Sequence, residues 1–93
     1  MTERITLAGD LTMETVARLR REFVLDGAPE YVIDMRAVKA VDSAGIGLML
    51  AWLREASRKK YTLRFEHVPQ NLSSLAEMYG VDAMLPLVEA TVN

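Results

Sequence analysis

The residues with the clearest capacity for chemistry are Asp42 and Ser43, which stand directly before an apolar helical pattern. Aspartate is favoured at a helix N-cap because its carboxylate accepts hydrogen bonds from main-chain N–H groups of the first turn. That placement puts the Ser43 hydroxyl at the first helical position, beside the positive end of the helix dipole. A phosphate on Ser43, or an acidic group of a partner, would meet free N–H donors there. The pattern therefore predicts a site of phosphorylation or of docking at this helix start.

Small residues follow immediately, namely Ala44, Gly45 and Gly47. A glycine within a helix costs ~0.8–1 kcal/mol relative to alanine, so a compensating interaction is expected. Because glycine has no Cβ, another backbone can approach it closely. For Gly45, tight packing against the chain's own sheet and docking of a partner account for the residue equally well.

The helix that begins here is predicted to run to about Arg58 and to have two apolar sides. At ~100° per residue, the side facing the core contains Ile46, Met49, Leu50, Leu53 and Ala56. A surface helix should be polar on its other side, but this one has Ala44, Gly47, Leu48 and Ala51, with Trp52 at the edge. An outer side made of small and apolar residues indicates that a partner protein covers it. The predicted partner-binding residues are Asp42, Ser43, Ala44, Gly47, Leu48, Ala51 and Trp52. The alternative, slightly favoured for Trp52, is cover by the last helix or the C-terminal tail.

The sequence offers little support for an enzyme. A serine hydrolase needs a histidine beside its serine and a Gly-x-Ser-x-Gly turn, but Val-Asp-Ser-Ala-Gly surrounds Ser43, and His67 is the one histidine. We expect His67 to have a structural role at a strand end. No phosphate-binding Gly-x-x-x-x-Gly-Lys-Ser/Thr loop occurs. Asp10, Asp34 and Asp42 could gather around Mg²⁺ at one sheet edge, although turn and N-cap roles explain Asp10 and Asp42. We predict no catalysis, metal or cofactor.

Composition narrows the class of protein. The 93 residues, 51% hydrophobic and 26% charged, are typical of one globular domain, 1–93. A net charge of −2 argues against nucleic acid as a partner. The absence of cysteine fits a reducing compartment, and no apolar run approaches the ~20 residues of a membrane span. We expect a cytoplasmic protein, held at a membrane only by a partner, with its methionines filling the core.

Strands and helices are predicted to alternate along the chain. Strands are expected at 4–8, 31–33, 61–68 and about 85–88, with a connector at 35–41. The first helix should run from an N-cap at Thr12 to about Val24, and the third from an N-cap at Asn71 to Gly80, with a further turn at 82–84. The residues predicted to face the core are Val16, Leu19 and Phe23 in the first helix. In the third helix they are Leu72, Leu75, Ala76 and Tyr79. This order predicts an α/β fold, with helices packed on a four-stranded mixed sheet whose neighbours are largely parallel.

Three segments resemble the STAS domain, which anti-sigma-factor antagonists share with the tails of sulfate transporters. They are Leu-Ala-Gly-Asp-Leu-Thr at 7–12, Tyr-Val-Ile-Asp at 31–34 and Val-Asp-Ser-Ala-Gly-Ile-Gly at 41–47. The resemblance implies that Ser43 matches the serine that a partner kinase phosphorylates in the antagonists. STAS domains usually have an extra strand before the one ending at Gly9. A truncated first strand would expose a sheet edge and favour a homodimer.

The second half is similar to the MlaB branch of this family, the STAS subunits of phospholipid-transporting ABC complexes. The similarity lies in Leu-Arg-Glu-Ala at 53–56, Phe-Glu-His-Val-Pro at 65–69 and the run 71–81. It implies an accessory subunit that binds and supports the ATPase of a transporter maintaining outer-membrane lipid asymmetry, with Ser43 at the ATPase contact. The alternative is an anti-sigma-factor antagonist whose partner is a kinase.

Overall fold

The computed structural model describes residues 2–80 and 87–88. Strands and helices alternate through them. The elements are β1 (Thr2–Leu11), α1 (Val16–Glu22), β2 (Glu30–Val41), α2 (Ser43–Lys59), β3 (Thr62–Glu66), α3 (Gln70–Met78) and β4 (Leu87–Val88). This alternation confirms the α/β class.

The four strands form one sheet in the order β1-β2-β3-β4. All three neighbouring pairs are parallel, so the sheet, predicted to be mixed, is parallel throughout the described residues. Parallel neighbours need crossover connections, and the three helices supply them. β1 lies at one edge, and among the described residues no strand pairs with its outer side. Homodimerisation through this edge stays a prediction.

The core lies between one face of the sheet and the helices. Alternate strand residues are buried on that face: Ile5, Leu7, Tyr31, Ile33, Met35, Leu63 and Phe65. α2 is the central helix, because it contacts β2, β3, α1 and α3. A helix with neighbours on several sides buries more of its circumference than a helix lying alone on a sheet.

The strands differ in length from the predictions. β2 is a 12-residue strand that includes the predicted connector 35–41, because pairing with β1 continues as far as Leu11 and Val41. Main-chain hydrogen bonds therefore extend it well past its apolar centre. β3 is shorter than the predicted 61–68, and it ends where His67 adopts a left-handed φ of 56°.

Two of the three predicted N-caps are wrong. α1 starts after Thr15, and the Thr12 carbonyl instead closes a preceding turn by accepting the N–H groups of Thr15 and Val16. α3 starts after Pro69, whose fixed φ suits a helix start. The Asn71 amide donates to the Lys39 carbonyl at 3.0 Å and ties α3 to β2.

The helix interiors agree with the predicted periodicity except at one end. Leu19, Leu72 and Ala76 are buried, while Val16, Phe23 and Leu75 are half-buried against the core. Tyr79, predicted to point inward, is 54% exposed. Gly80 follows α3 with φ 71°, which agrees with its predicted role as a stop. The predicted turn at 82–84 lies outside the described residues, and β4 falls within the predicted final strand.

Candidate docking site on α2

The start of α2 is held by the Asp42 carboxylate, as predicted. Oδ1 accepts the N–H groups of Ala44 at 2.9 Å and Gly45 at 3.2 Å, and Oδ2 accepts the N–H of Met13 at 3.0 Å. The Met13 hydrogen bond contributes most to lowering the pKa of Asp42. Partial desolvation opposes this effect, and the Gly45 and Ala44 hydrogen bonds add to it, so the pKa lies below its ordinary value.

This cap changes what the helix start can offer a ligand. The Asp42 main-chain carbonyl also accepts the N–H groups of Gly45 and Ile46. The donors of residues 44, 45 and 46 are therefore satisfied within the chain, and the prediction of free N–H donors is wrong for these three. What the tip presents is the exposed Ser43 hydroxyl, which makes no hydrogen bond to any described residue.

Gly45 packs against the chain's own sheet. A Cβ at this position would lie 2.3 Å from the Leu11 carbonyl oxygen and 3.0 Å from the Leu11 Cγ. The same oxygen accepts the Asp42 main-chain N–H at 3.3 Å. Close packing of α2 on the end of β1 thus decides between the two explanations for this glycine.

Gly47 faces the other way. It is exposed, and a Cβ built on it would meet nothing within 4 Å. Ala44 and Ala51 are half-buried on the same side of α2. The fold of the described chain gives no reason for the missing side chain at Gly47.

The prediction that Leu48 lies on an open side of α2 is wrong, whereas Trp52 is covered by the chain itself, which is the alternative slightly favoured for it. They are 5% and 4% exposed and belong to the core, while Leu50 and Leu53 are only half-buried. At ~100° per residue, the buried arc is rotated by roughly 60° from the prediction, towards Trp52. The cause is the central position of α2, which packs on neighbouring helices as well as on the sheet. The Trp52 indole Nε1 has no hydrogen-bond partner in the described chain.

A groove of about 640 Å³ lies between α1 and α2. We call it the α1–α2 groove. Several of its lining residues are exposed, so it is open to solvent. It is lined by Val16, Ala17, Arg20, Arg21, Ala44, Gly47, Leu48, Ala51 and Arg54.

Met13 is a site residue that the sequence did not reveal. Its main-chain N–H donates to the Asp42 carboxylate at the start of α2, and the residue is 74% exposed. The methionines were predicted to fill the core, which is correct for Met35 and Met49 and wrong for Met13 and Met78. Only the turn between β1 and α1 brings Met13 to the tip, and no local pattern signals that contact.

The charged groups away from α2 have structural roles. His67 Nδ1 lies 3.1 Å from the Asp34 carboxylate, which agrees with its predicted structural role. Burial alone would raise the pKa of Asp34. The hydrogen bond from the Arg36 N–H, followed by the interactions with His67, outweighs this effect, so the pKa lies below its ordinary value. Asp10 accepts the Ala40 N–H at 3.3 Å. The described residues contain no group of three or more potential ligands placed to hold a metal, so the Asp10, Asp34 and Asp42 cluster does not form there.

The family model described as "Mlab, STAS domain" matches residues 2–89. The chain belongs to the STAS family. STAS domains typically bind other proteins and regulate them. No helix within 2–80 combines the length and apolarity needed to cross a membrane.

Solved structures agree with this assignment at the level of the fold. A sulfate transporter family protein from Wolinella succinogenes matches with a TM-score of 0.76 and 15% identity, over 95% of this chain and 76% of the other. The anti-sigma factor antagonist SpoIIAA in its unphosphorylated form matches with a TM-score of 0.72 and 19% identity, over 99% of this chain and 91% of the other. No curated protein matches the sequence.

Proposed function

We propose that this STAS domain is a non-catalytic accessory subunit that binds and supports the ATPase of an ABC-type phospholipid transporter of the Mla kind. Support comes from the MlaB-type family model, whose match over residues 2–89 includes all the described residues. The protein would be cytoplasmic and would reach the inner membrane through its partner. Docking would favour the ATPase-competent assembly only to the extent that the STAS domain binds this state more tightly than the others.

The observation that carries the proposal is Gly47, because its missing side chain serves no contact of the described fold. A helical glycine costs stability, and close approach by a partner would compensate. Ser43 is exposed at the start of the same helix, and the exposed residue Met13 is joined to that start by the hydrogen bond from its main-chain N–H to Asp42. The proposed contact residues are therefore Met13, Asp42, Ser43, Ala44, Gly47 and Ala51, without the buried Leu48 and Trp52.

The test is a calorimetric titration of the full chain against the ABC ATPase encoded in the same genome. Ser43→Glu should weaken binding by about tenfold or more, because a charge would be desolvated at the contact. A carboxylate is tolerated at a helix start, so the fold should survive. Ser57→Glu is the matched control, since Ser57 is exposed on the same helix near its other end. Equal affinities for the wild type and Ser43→Glu would remove this site from the proposal.

The second candidate function is that of an anti-sigma-factor antagonist, favoured by the accessible Ser43 hydroxyl in a fold similar to that of SpoIIAA. Phosphorylation would add roughly −1.5 to −2 charges at Ser43 and eject a partner by repulsion and desolvation. Intact-mass analysis after incubation with the anti-sigma kinases of the same genome separates the two functions. An added phosphate that disappears in Ser43→Ala would favour the antagonist.

A further inference from the structure

The arginines of this domain fall into two groups. Five of the eight form ion pairs with carboxylates of the described chain: Arg4, Arg18, Arg36, Arg58 and Arg64. The other three, Arg20, Arg21 and Arg54, form none with the described residues. All three are exposed, and all three line the α1–α2 groove.

The groove has an apolar floor within this cationic rim. Ala44, Gly47 and Ala51 lie one helical turn apart on α2, and Val16 lines the opposite side from α1. No aspartate or glutamate is among the described residues that line the groove. Its charge is therefore uncompensated in a chain whose net charge is −2.

From this arrangement we propose that the α1–α2 groove binds an acidic amphipathic helix of a partner protein. The apolar stripe of that helix would lie along Ala44, Gly47 and Ala51, where small side chains allow a close approach. Glutamates or aspartates flanking the stripe would pair with Arg20, Arg21 and Arg54. The inference deepens the proposed function and rests on it for the existence of a docking partner, and it adds the chemistry that the partner must have.

The shape of the site favours a helix over a membrane surface. A surface that binds a bilayer inserts large apolar side chains into it, whereas the apolar lining of this groove consists of alanine, glycine and valine apart from the buried Leu48. Arginine can form two parallel hydrogen bonds with one carboxylate, so flanking glutamates match the rim in hydrogen-bonding capacity as well as in charge.

The test uses the full chain labelled with ¹⁵N and two designed peptides. One is an amphipathic helix with an alanine and leucine stripe flanked by glutamates, and its counterpart has lysine at every glutamate position. The glutamate peptide should shift the amide signals of Gly47 and Ala51, and added salt should weaken its binding. The lysine peptide should not bind. Equal binding of the two peptides, binding of neither, or shifts confined to other surfaces would overturn the inference.

Variants of the rim separate specific pairing from net charge. The triple variant Arg20→Glu, Arg21→Glu and Arg54→Glu should weaken binding of the glutamate peptide about tenfold or more, because attraction becomes repulsion. The matched control Arg18→Glu, Lys39→Glu and Arg58→Glu changes the net charge equally without altering the groove. If the reversed variant does not fold, the alanine triple at the same three arginines replaces it, with a smaller expected weakening. Equal losses in groove and control variants would contradict the inference.

Two further measurements distinguish the possible failures. Vesicles containing phosphatidylglycerol that bind through the three arginines, while the glutamate peptide does not bind, would assign the groove to a membrane and overturn the inference. An ATPase that binds normally to the alanine triple would also overturn it, and would leave the proposed function intact. Failure of the ATPase to bind the wild type would refute the proposed function, while the peptide result would still decide the chemistry of the groove.

Discussion

The two glycines near the start of α2 have opposite roles, although only one residue separates them. Gly45 lies against the Leu11 carbonyl, where a Cβ would overlap the oxygen, and Gly47 faces the open α1–α2 groove. One side of the helix is thus shaped by the fold, whereas no contact within the described chain explains the glycine on the other side. A glycine in a helix therefore becomes informative about function only once the atoms around it are known.

The largest expected effect tests whether the buried side of α2 includes Trp52. Trp52→Ala should lower the free energy of unfolding by about 3–5 kcal/mol, because a large buried side chain is lost. Met13→Ala, at the exposed tip, should change it by less than about 0.5 kcal/mol. Urea titrations of both variants measure the two changes. A loss for Trp52→Ala as small as that for Met13→Ala would return Trp52 to the partner surface.

Gly45→Ala should be the next most damaging substitution. The added Cβ forces α2 away from β1, which strains the Asp42 N–H hydrogen bond to the Leu11 carbonyl. Overpacking of this kind costs about 1–3 kcal/mol. Thermal and urea unfolding would measure the loss. If the variant were as stable as the wild type, the close packing of α2 on β1 would be wrong.

Gly47→Ala should have a smaller effect of opposite sign. Because the new methyl group meets nothing and alanine is the better helix former, stability should rise by about 0.5–1 kcal/mol. Urea titrations of Gly47→Ala and Gly45→Ala, carried out side by side, measure the two opposite changes in stability. A destabilised Gly47→Ala would mean that this side also has a role in the fold.

The pH dependence of the cap gives the smallest effect. The folded pKa of Asp42 lies below its ordinary value of 3.8, so its stabilising contribution is complete above that value and is lost as the pH falls through the folded pKa. Asp42→Asn should therefore lose less stability than the wild type between neutral pH and pH values below 3.8. Unfolding measured across this range checks the difference. Parallel curves for the two proteins would contradict the role of the carboxylate charge.

The features that could be predicted from the sequence are those set by local chemistry. Asp42 caps α2 because carboxylates suit that position, and Gly80 follows α3 in a left-handed conformation. The N-cap at Thr12 was wrong because its main-chain carbonyl closes a turn before α1, and the N-cap at Asn71 was wrong because its side-chain amide donates to the Lys39 carbonyl instead. The length of β2 was missed because pairing with β1, rather than its own apolar run, determines its end.

The residues of the candidate site also divide into those that the sequence alone places and those that depend on tertiary structure. Ser43, Ala44, Gly47 and Ala51 are local features of one helix, and the sequence places them together. The burial of Trp52 depends on neighbouring elements, and so does the approach of Met13 to Asp42. The cationic rim joins Arg20 and Arg21 from α1 with Arg54 from α2. One helical wheel cannot reveal a groove that two helices form.

The most direct test of the docking surface is a paired measurement on Gly47→Leu. Stability and affinity for the ABC ATPase would be determined on one preparation of the full chain. A side chain that enters open space should leave the protein at least as stable as the wild type, because leucine is a better helix former than glycine, while filling the groove should weaken binding by about tenfold or more. A folded Gly47→Leu that binds the ATPase as tightly as the wild type would contradict the assignment of this side of α2 as the docking surface.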